Sequence, residues 1–257
     1  LAEIKIISWN VNGLRSVAKK GFLETVAALD ADIICLQETR SRKEQLPADI
    51  QEIPGYHSYF AAAEKSGYSG VAIYSKEKPK TVTTGMGIPM FDGEGRVLVA
   101  EYGDFAVFNC YFPNGGSSKE RLDYKMSFYD ATLDFVTARQ NMLICGDVNT
   151  AHQPIDLARP KENEKISGFL PMERQWIDRL LKAGFHDTFR LFHKEGDNYS
   201  WWDVKSRARE RNVGWRIDYF FSQADLTPRI TDAFILPKIQ GSDHCPVGVI
   251  LKRTAQE

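Results

Sequence analysis

Four polar clusters border apolar runs in this chain, and together they hold the residue types that hydrolytic chemistry needs. Asn10 follows Ile4-Lys5-Ile6-Ile7-Ser8-Trp9, and Glu38 follows Ile33-Ile34-Cys35-Leu36-Gln37. Gly146-Asp147-Val148-Asn149 follows Met142-Leu143-Ile144-Cys145, and Ser242-Asp243-His244 introduces the last apolar run. Carboxylates, carboxamides and one imidazole gathered at strand ends read as a metal-assisted hydrolytic site. A charged group closing a buried strand is costly unless it reaches a cavity, a partner or a metal. A hard divalent ion prefers oxygen ligands and keeps several waters, so one or two carboxylates helped by an Asn point to Mg²⁺, with Mn²⁺ as a substitute. The five histidines, His57, His152, His186, His193 and His244, include no i, i+3 or i, i+4 pair, which argues against zinc.

Asp147 and Asn149 alternate, and in a strand that spacing puts both on one face. Asp147 could then take a proton from water while Asn149 orients the water or the substrate. An Asx-type turn is the bland reading of the same residues. Glu38 taken alone reads equally well as a charge at a strand end facing solvent. A lone histidine such as His244 is more often a core residue than a catalyst. Asp218, however, lies inside Trp215-Arg216-Ile217-Asp218-Tyr219-Phe220 and needs a partner. Pairing it with His244 would raise the imidazole pKa and keep a cation beside a phosphate.

The elements that must position these groups are mostly strands. Strand-like runs lie near 3–9, 32–37, 57–61, 70–75, 80–84, 96–102, 105–111, 142–147, 217–222, 229–236 and 246–251. Helical patterns lie near 20–30, 119–138 and 171–183, the second carrying Leu122, Tyr124, Phe128, Tyr129 and Leu133 at about helical spacing. Short Gly-containing connections between 57 and 111 suit hairpins rather than crossover helices. Two packed sheets covered by helices satisfy both patterns, in a single domain over 1–257.

An apolar content of 43% in 257 residues is enough for a sizeable core, and no run is long and apolar enough to span a membrane. No secretory leader is visible, and Leu1 in place of Met is compatible with a trimmed chain. Cys35, Cys110, Cys145 and Cys245 are scattered without a Cys-x-x-Cys pair, as expected of reduced thiols in an intracellular protein. The expected location is cytoplasmic and nucleoid-associated if the source is prokaryotic. A net charge of -1 excludes indiscriminate polyanion binding, so any nucleic-acid surface must be local. Lys205, Arg207, Arg209 and Arg211 recur at every second residue, and an extended loop would point all four the same way. A solvated loop without a partner is the alternative. Nothing in the sequence demands more than a monomer.

Eight motifs carry a resemblance over residues 4–251: Trp-Asn-Val-Asn-Gly at 9–13, Leu-Gln-Glu at 36–38, Gly-Tyr-Ser-Gly-Val at 67–71, Tyr-Phe-Pro-Asn-Gly at 111–115, Gly-Asp-Val-Asn at 146–149, Ser-Gly-Phe-Leu-Pro at 167–171, Asn-Val-Gly-Trp-Arg-Ile-Asp-Tyr at 212–219 and Gly-Ser-Asp-His-Cys-Pro at 241–246. In this order they resemble the exonuclease III family of apurinic/apyrimidinic endonucleases. The resemblance implies a DNase I-like, four-layered α/β sandwich with two mixed sheets flanked by helices. It also implies Mg²⁺-dependent incision of duplex DNA on the 5′ side of an abasic site, leaving a 3′-hydroxyl. The accompanying 3′→5′ exonuclease, 3′-end cleaning and nicking at damaged or deaminated nucleotides vary across the family.

Carried over by position, Asn10 and Glu38 would hold the metal, with Asp243 nearby as a metal-supporting or leaving-group residue. Asp147 would activate water that Asn149 orients, a metal-activated water being the competing account. His244, held by Asp218, would stabilise phosphoryl charge, while Tyr111 and Asn114 contact the scissile phosphate. Trp201, Trp215 and Ile217 would enclose the extrahelical sugar in a pocket that excludes a normal base. Lys205, Arg207 and Arg209 would contact flanking phosphates, and Arg15, Lys20, Tyr68 and Asn163 match further DNA-contacting positions.

The chain departs from animal relatives at Asn12, where they carry Asp near the metal, and at Ser117 and Lys205-Ser206, where they carry intercalating residues. Product affinity and duplex distortion are therefore expected to differ, and the redox-regulatory tail of animal members is expected to be absent. Other phosphodiesterases of the superfamily share the catalytic elements, but the basic and aromatic segment 199–217 and Tyr111-Phe112-Pro113-Asn114 favour the DNA-repair branch. A non-catalytic DNA-binding scaffold would require a missing core residue, and none is missing.

Overall fold

The computed structural model describes residues 2–254, so the reading of Leu1 lies outside it. The strands are β1 (Glu3–Asn10), β2 (Ile33–Gln37), β3 (His57–Ala61), β4 (Val71–Ser75), β5 (Thr81–Thr84), β6 (Val97–Glu101), β7 (Ala106–Tyr111), β8 (Met142–Asp147), β9 (Phe185–Asp187), β10 (Trp201–Trp202), β11 (Gly214–Trp215), β12 (Asp218–Gln223), β13 (Ile230–Ile235) and β14 (Val247–Lys252). The helices are α1 (Leu14–Ala18), α2 (Phe22–Leu29), α3 (Ala48–Gln51), α4 (Pro89–Asp92), α5 (Lys119–Thr137), α6 (Pro160–Asn163), α7 (Pro171–Lys182) and α8 (Thr188–Phe192).

One six-stranded sheet runs β13-β14-β1-β2-β4-β3 and the other β5-β6-β7-β8-β12-β9. Each has a parallel pair near its middle, β1 with β2 and β7 with β8, among antiparallel neighbours. Parallel neighbours need a crossover, supplied by α1 and α2 in one sheet and by α5 in the other. Side chains of period two sort the residues into layers. Ile6, Cys35 and Ile73 face Val107, Cys145 and Phe220 between the sheets. Ile7, Ile34 and Tyr74 pack outward against Val17, Phe22 and Val26 of the first helices. Phe108, Ile144 and Phe221 pack against Phe128, Tyr129, Trp176 and Ile177 of α5 and α7. Both faces of each sheet are thus covered, giving four layers with mixed sheets. All four cysteines are buried and free, and no described helix is long and apolar enough to cross a membrane.

Gly146 is required where β8 passes β7. Its φ is +139°, and a Cβ there would lie 1.8 Å from the carbonyl oxygen of Cys110 on the paired strand. The close approach brings Asp147, the next residue, into register with Tyr111 at the strand ends.

The eleven strand readings correspond to elements of the two sheets, whereas β9, β10 and β11 were not read from the sequence. Those three are two or three residues long, too short to display a period. The basic segment is not extended, a correction to the expected common direction of its four cations. It forms a turn and then a 3-10 helix at Ala208–Arg211, whose three-residue repeat separates side chains that alternation would align.

A buried ion cluster holds the segment before β12. Arg216, 1% exposed, donates to Asp156 through Nε at 2.8 Å and to Asp187 through Nη2 at 2.6 Å, and Arg190 also reaches Asp156. Burial raises the Asp156 pKa, but Arg216 and Arg190 outweigh it and hold the carboxyl below its ordinary value. A depressed carboxyl stabilises the fold fully above the unfolded pKa of about 4, and that contribution fades as pH falls through the folded value. Urea unfolding of Asp156→Asn at pH 7 should show a loss of about 3–5 kcal/mol that shrinks below about pH 4. A loss independent of pH would contradict this assignment.

Candidate active site

The site forms where strand ends from both sheets meet. Pairing of β8 with β12 sets Asp147 directly opposite Asp218, and pairing of β7 with β8 sets Tyr111 beside Asp147. The β10–β11 ribbon pairs Trp201 with Trp215, and an isolated bridge joins Trp201 to His244. Asp147, Asp218 and His244 are all buried, at 1%, 2% and 4% exposure.

Two carboxylates opposed in the interior need a cation between them. His244 fills that place: Nδ1 lies 2.8 Å from Asp218 Oδ2 and Nε2 lies 3.8 Å from Asp147 Oδ2. Ser200, which no sequence signal marks, donates to the same Asp218 oxygen at 2.6 Å and accepts from the backbone N–H groups of Ile217 and Asp218. Burial pulls the His244 pKa down, but Asp218, Asp147 and Asp243 reverse this and lift it to about 10. The imidazole is therefore a cation at neutral pH. Burial raises the Asp147 carboxyl to about 7, with Asp218 adding to the effect and His244, the Asn149 amide and Asn10 opposing it.

Asn149 holds both readings of its motif at once. Its backbone N–H donates to Asp147 Oδ1 at 2.8 Å, an Asx-type turn, with φ at +56° in the left-handed region that Asn tolerates. Its side-chain Nδ2 donates to Asp147 Oδ2 at 3.3 Å and to the Phe112 carbonyl, so both polar groups face the same cleft. Asn114 Nδ2 donates to Asn149 Oδ1 at 3.1 Å. Tyr111 is held by Arg96, which lies 4.8 Å from the ring and donates to the Tyr111 carbonyl. Burial, then Glu38 and Asp147, push the Tyr111 phenol well above its ordinary pKa, so it stays protonated.

A cleft of about 350 Å³ brings together Glu38, Tyr111, Asn114, Asp147, Asn149, Trp201, Trp215, Ile217, Asp243 and His244. Asn10, fully buried, donates through Nδ2 to both Glu38 at 3.1 Å and Asp147 at 2.9 Å. Arg15 and Lys20 line a separate groove of about 830 Å³ that shares Asn12 and Arg40 with the cleft. Tyr68 is bonded to Arg96 and Arg121, and Asn163 Nδ2 donates to the Arg159 carbonyl within its own turn. Lys205 and Arg207 are exposed. The Arg209 guanidinium donates to the carbonyls of Ser242, Pro237 and Ile239 and lies 4.6 Å from the Trp202 ring. It clamps the chain leading to Asp243.

Of the oxygen donors suited to a hard cation, Glu38 lines the cleft and Asn10 is bonded to it from a buried position. Glu38 keeps one carboxylate oxygen against Arg40 and the other against Asn10, and Asn10 Oδ1 accepts one N–H, from Asn12, leaving a lone pair free. Glu38 and Asn10 therefore fit a divalent ion of the Mg²⁺ type. Asp147, Asp218 and His244 are also close enough together to hold an ion. Their ion pairing accounts for them equally as an imidazolium between two carboxylates.

A four-layered sandwich with a buried Asp–His pair and an Asp-x-Asn turn at its strand ends defines a class of hydrolases. The sequence profile of the Endonuclease/Exonuclease/phosphatase family matches residues 7–244, and the chain belongs to that family. It is 46% identical to the DNA repair nuclease APEX1 of Danio rerio, over 97% of this chain and 83% of the relative. It is 44% identical to an exodeoxyribonuclease of Bacillus subtilis (strain 168), over 96% and 99%. Among solved structures, an AP endonuclease from Leishmania major superposes with a TM-score of 0.89 at 30% identity, covering 98% of this chain and 88% of that one. A Neisseria 3′ phosphatase bound to a product DNA hairpin superposes with a TM-score of 0.88 at 28% identity, covering 97% and 100%.

The charge on His244 depends first on Asp218. NMR titration of the imidazole should give a pKa near 10 in the native protein, falling toward the ordinary value of about 6.5 in Asp218→Asn. An unchanged pKa in the variant would show that Asp218 is not the source of the shift.

Proposed function

We propose that this chain is a Mg²⁺-dependent DNA repair endonuclease that hydrolyses the phosphodiester 5′ to an abasic site in duplex DNA and leaves a 3′-hydroxyl. It acts as an intracellular, single-domain monomer. The same site trims 3′ ends, with 3′→5′ exonuclease activity and nicking beside damaged or deaminated nucleotides such as deoxyuridine. One observation carries this reading: Asp147, Asn149 and His244 share a cleft with the aromatic and aliphatic walls Trp201, Trp215 and Ile217. The first set suits a phosphodiester, the second a sugar without its base. Relatives named as DNA repair nuclease and exodeoxyribonuclease, both matching nearly the full chain, support it.

In this mechanism Asp147 accepts the proton of a water that Asn149 orients, and the water oxygen attacks phosphorus. The His244 imidazolium, already paired with Asp218, faces the nonbridging oxygens as they gain charge. Tyr111, kept protonated, offers its O–H to the departing 3′ oxygen, and Asn114 positions the phosphate. A Mg²⁺ ion held by Glu38 and Asn10, or Mn²⁺ in its place, would supply Lewis-acid stabilisation of phosphoryl charge. Lys205, Arg207, Arg15 and Lys20 remain as cations for the flanking backbone, while Tyr68 and Asn163 act by shaping loops at its edge.

Matched duplexes carrying an abasic analogue, a deoxyuridine or no lesion test the proposal directly, each with Mg²⁺ or with chelator. The abasic duplex should be cut fastest, on the 5′ side, and chelation should abolish cutting. Equal rates on all three would overturn the abasic reading, and activity surviving chelation would overturn the metal role.

A further inference from the structure

Asp243 lies in the cleft, yet its carboxylate is already occupied by the protein. Oδ2 accepts the Trp201 indole N–H at 3.0 Å, and Oδ1 accepts Asn12 Nδ2 at 2.9 Å and the Ser242 hydroxyl at 3.2 Å. The Asp243 backbone is fixed as well, its carbonyl accepting the Trp202 N–H at 3.1 Å. Burial would raise the carboxyl pKa, but His244, Asn12 and Trp201 keep it ionised. The group is a rigid anionic acceptor aimed at an aromatic wall.

That wall faces a partner with little slack. Trp201 meets Trp215 edge to face, ring centres 6.3 Å apart at 81°. Trp215 is backed by Gly168, where even a Cβ would come within 3.1 Å of its ring, at a φ of +99° that disfavours any larger residue. Phe169 meets Trp215 on another edge at 6.5 Å. Aromatic rings in direct contact have centres about 4.5–7 Å apart, so no third flat ring fits between these two. Entry of a base between this pair would require Trp201 to swing away, and the bond to Asp243 opposes that swing.

We propose that Asp243 is a specificity-determining positioning residue: by pinning the Trp201 indole, it disfavours nucleotides that retain a base relative to an abasic one. This inference rests on the abasic-site reading and adds the device that enforces it. One hydrogen bond to a charged acceptor is worth about tenfold or more in an equilibrium. Loss of the bond should therefore relax discrimination by at least about that factor.

The test compares the native protein with Asp243→Ala, which removes the acceptor while leaving Trp201 at full size, and with Asp243→Asn. In the Asn variant the carboxamide can accept the indole N–H while a turned Asn12 side chain accepts from its NH₂ group. For each protein, kcat/KM is measured on the abasic-analogue and deoxyuridine duplexes. Binding of both duplexes is measured by fluorescence anisotropy in chelator, where turnover is not needed. A general loss of activity cancels in the ratio between substrates. Asp243→Ala should lose about tenfold or more of the native preference for the abasic duplex, through a lower KM and tighter binding of the deoxyuridine duplex, and Asp243→Asn should retain the preference. An unchanged ratio in Asp243→Ala, or equal loss in both variants, would overturn the inference while leaving the abasic reading intact. A native protein that showed no preference would instead overturn the abasic reading itself.

Discussion

Two buried carboxylates, Asp147 and Asp218, stand opposite each other on neighbouring antiparallel strands, and the rest of the site is arranged around making that tolerable. An uncompensated buried charge costs several kcal/mol, so a cation between the two strands stabilises this register. His244 supplies it and keeps its own charge because both anions are there. The site thus carries a positive charge on a buried imidazole, beside Asp147, whose carboxyl burial raises to about 7. A substrate phosphate entering the cleft would meet a charge that needs no reorganisation, which is the condition for strong electrostatic catalysis.

This arrangement depends on packing far from the cleft. The close approach at Gly146 lets β8 carry Asp147 to the rim beside Tyr111. Ser200 ties Asp218 to the backbone of its own strand and fixes the oxygen that meets His244. Trp9 on β1 donates its indole N–H to the His244 carbonyl, tying the chain that enters β14 to its partner strand, while the imidazole reaches Asp218 on the other sheet. Arg216 and its two aspartates secure the segment that presents Trp215 and Ile217. The polar and aromatic residues of the cleft therefore share supports, and their geometry is set together.

Much of this was legible in the sequence because the strands are apolar on both faces and end in polar residues, so Asn10, Glu38, Asp147 and Asp218 stood out against their runs. Helix α5 announced itself by spacing, and the eight ordered motifs carried the fold. What could not be read depends on long-range contact. Trp201 and Trp215 belong to strands of two residues, too short for any period, and Ser200 lies eighteen positions from the carboxylate it orients. The cations at 205–211 follow a spacing that means one face only in an extended chain, and a turn with a 3-10 helix redirects them. Nothing local to Arg209 reveals the three carbonyls that its guanidinium meets. The fate of a donor in a loop is decided by the loop it meets.

The central claim is that Asp218 acts through His244 rather than beside it. A double-mutant cycle on turnover of the abasic-analogue duplex, built from Asp218→Asn, His244→Asn and the double variant, tests it most directly. The two single losses should not multiply: once His244 is gone, replacing Asp218 should change kcat by less than about threefold, although it lowers kcat by tenfold or more in the native protein. Losses that multiply independently would contradict the account.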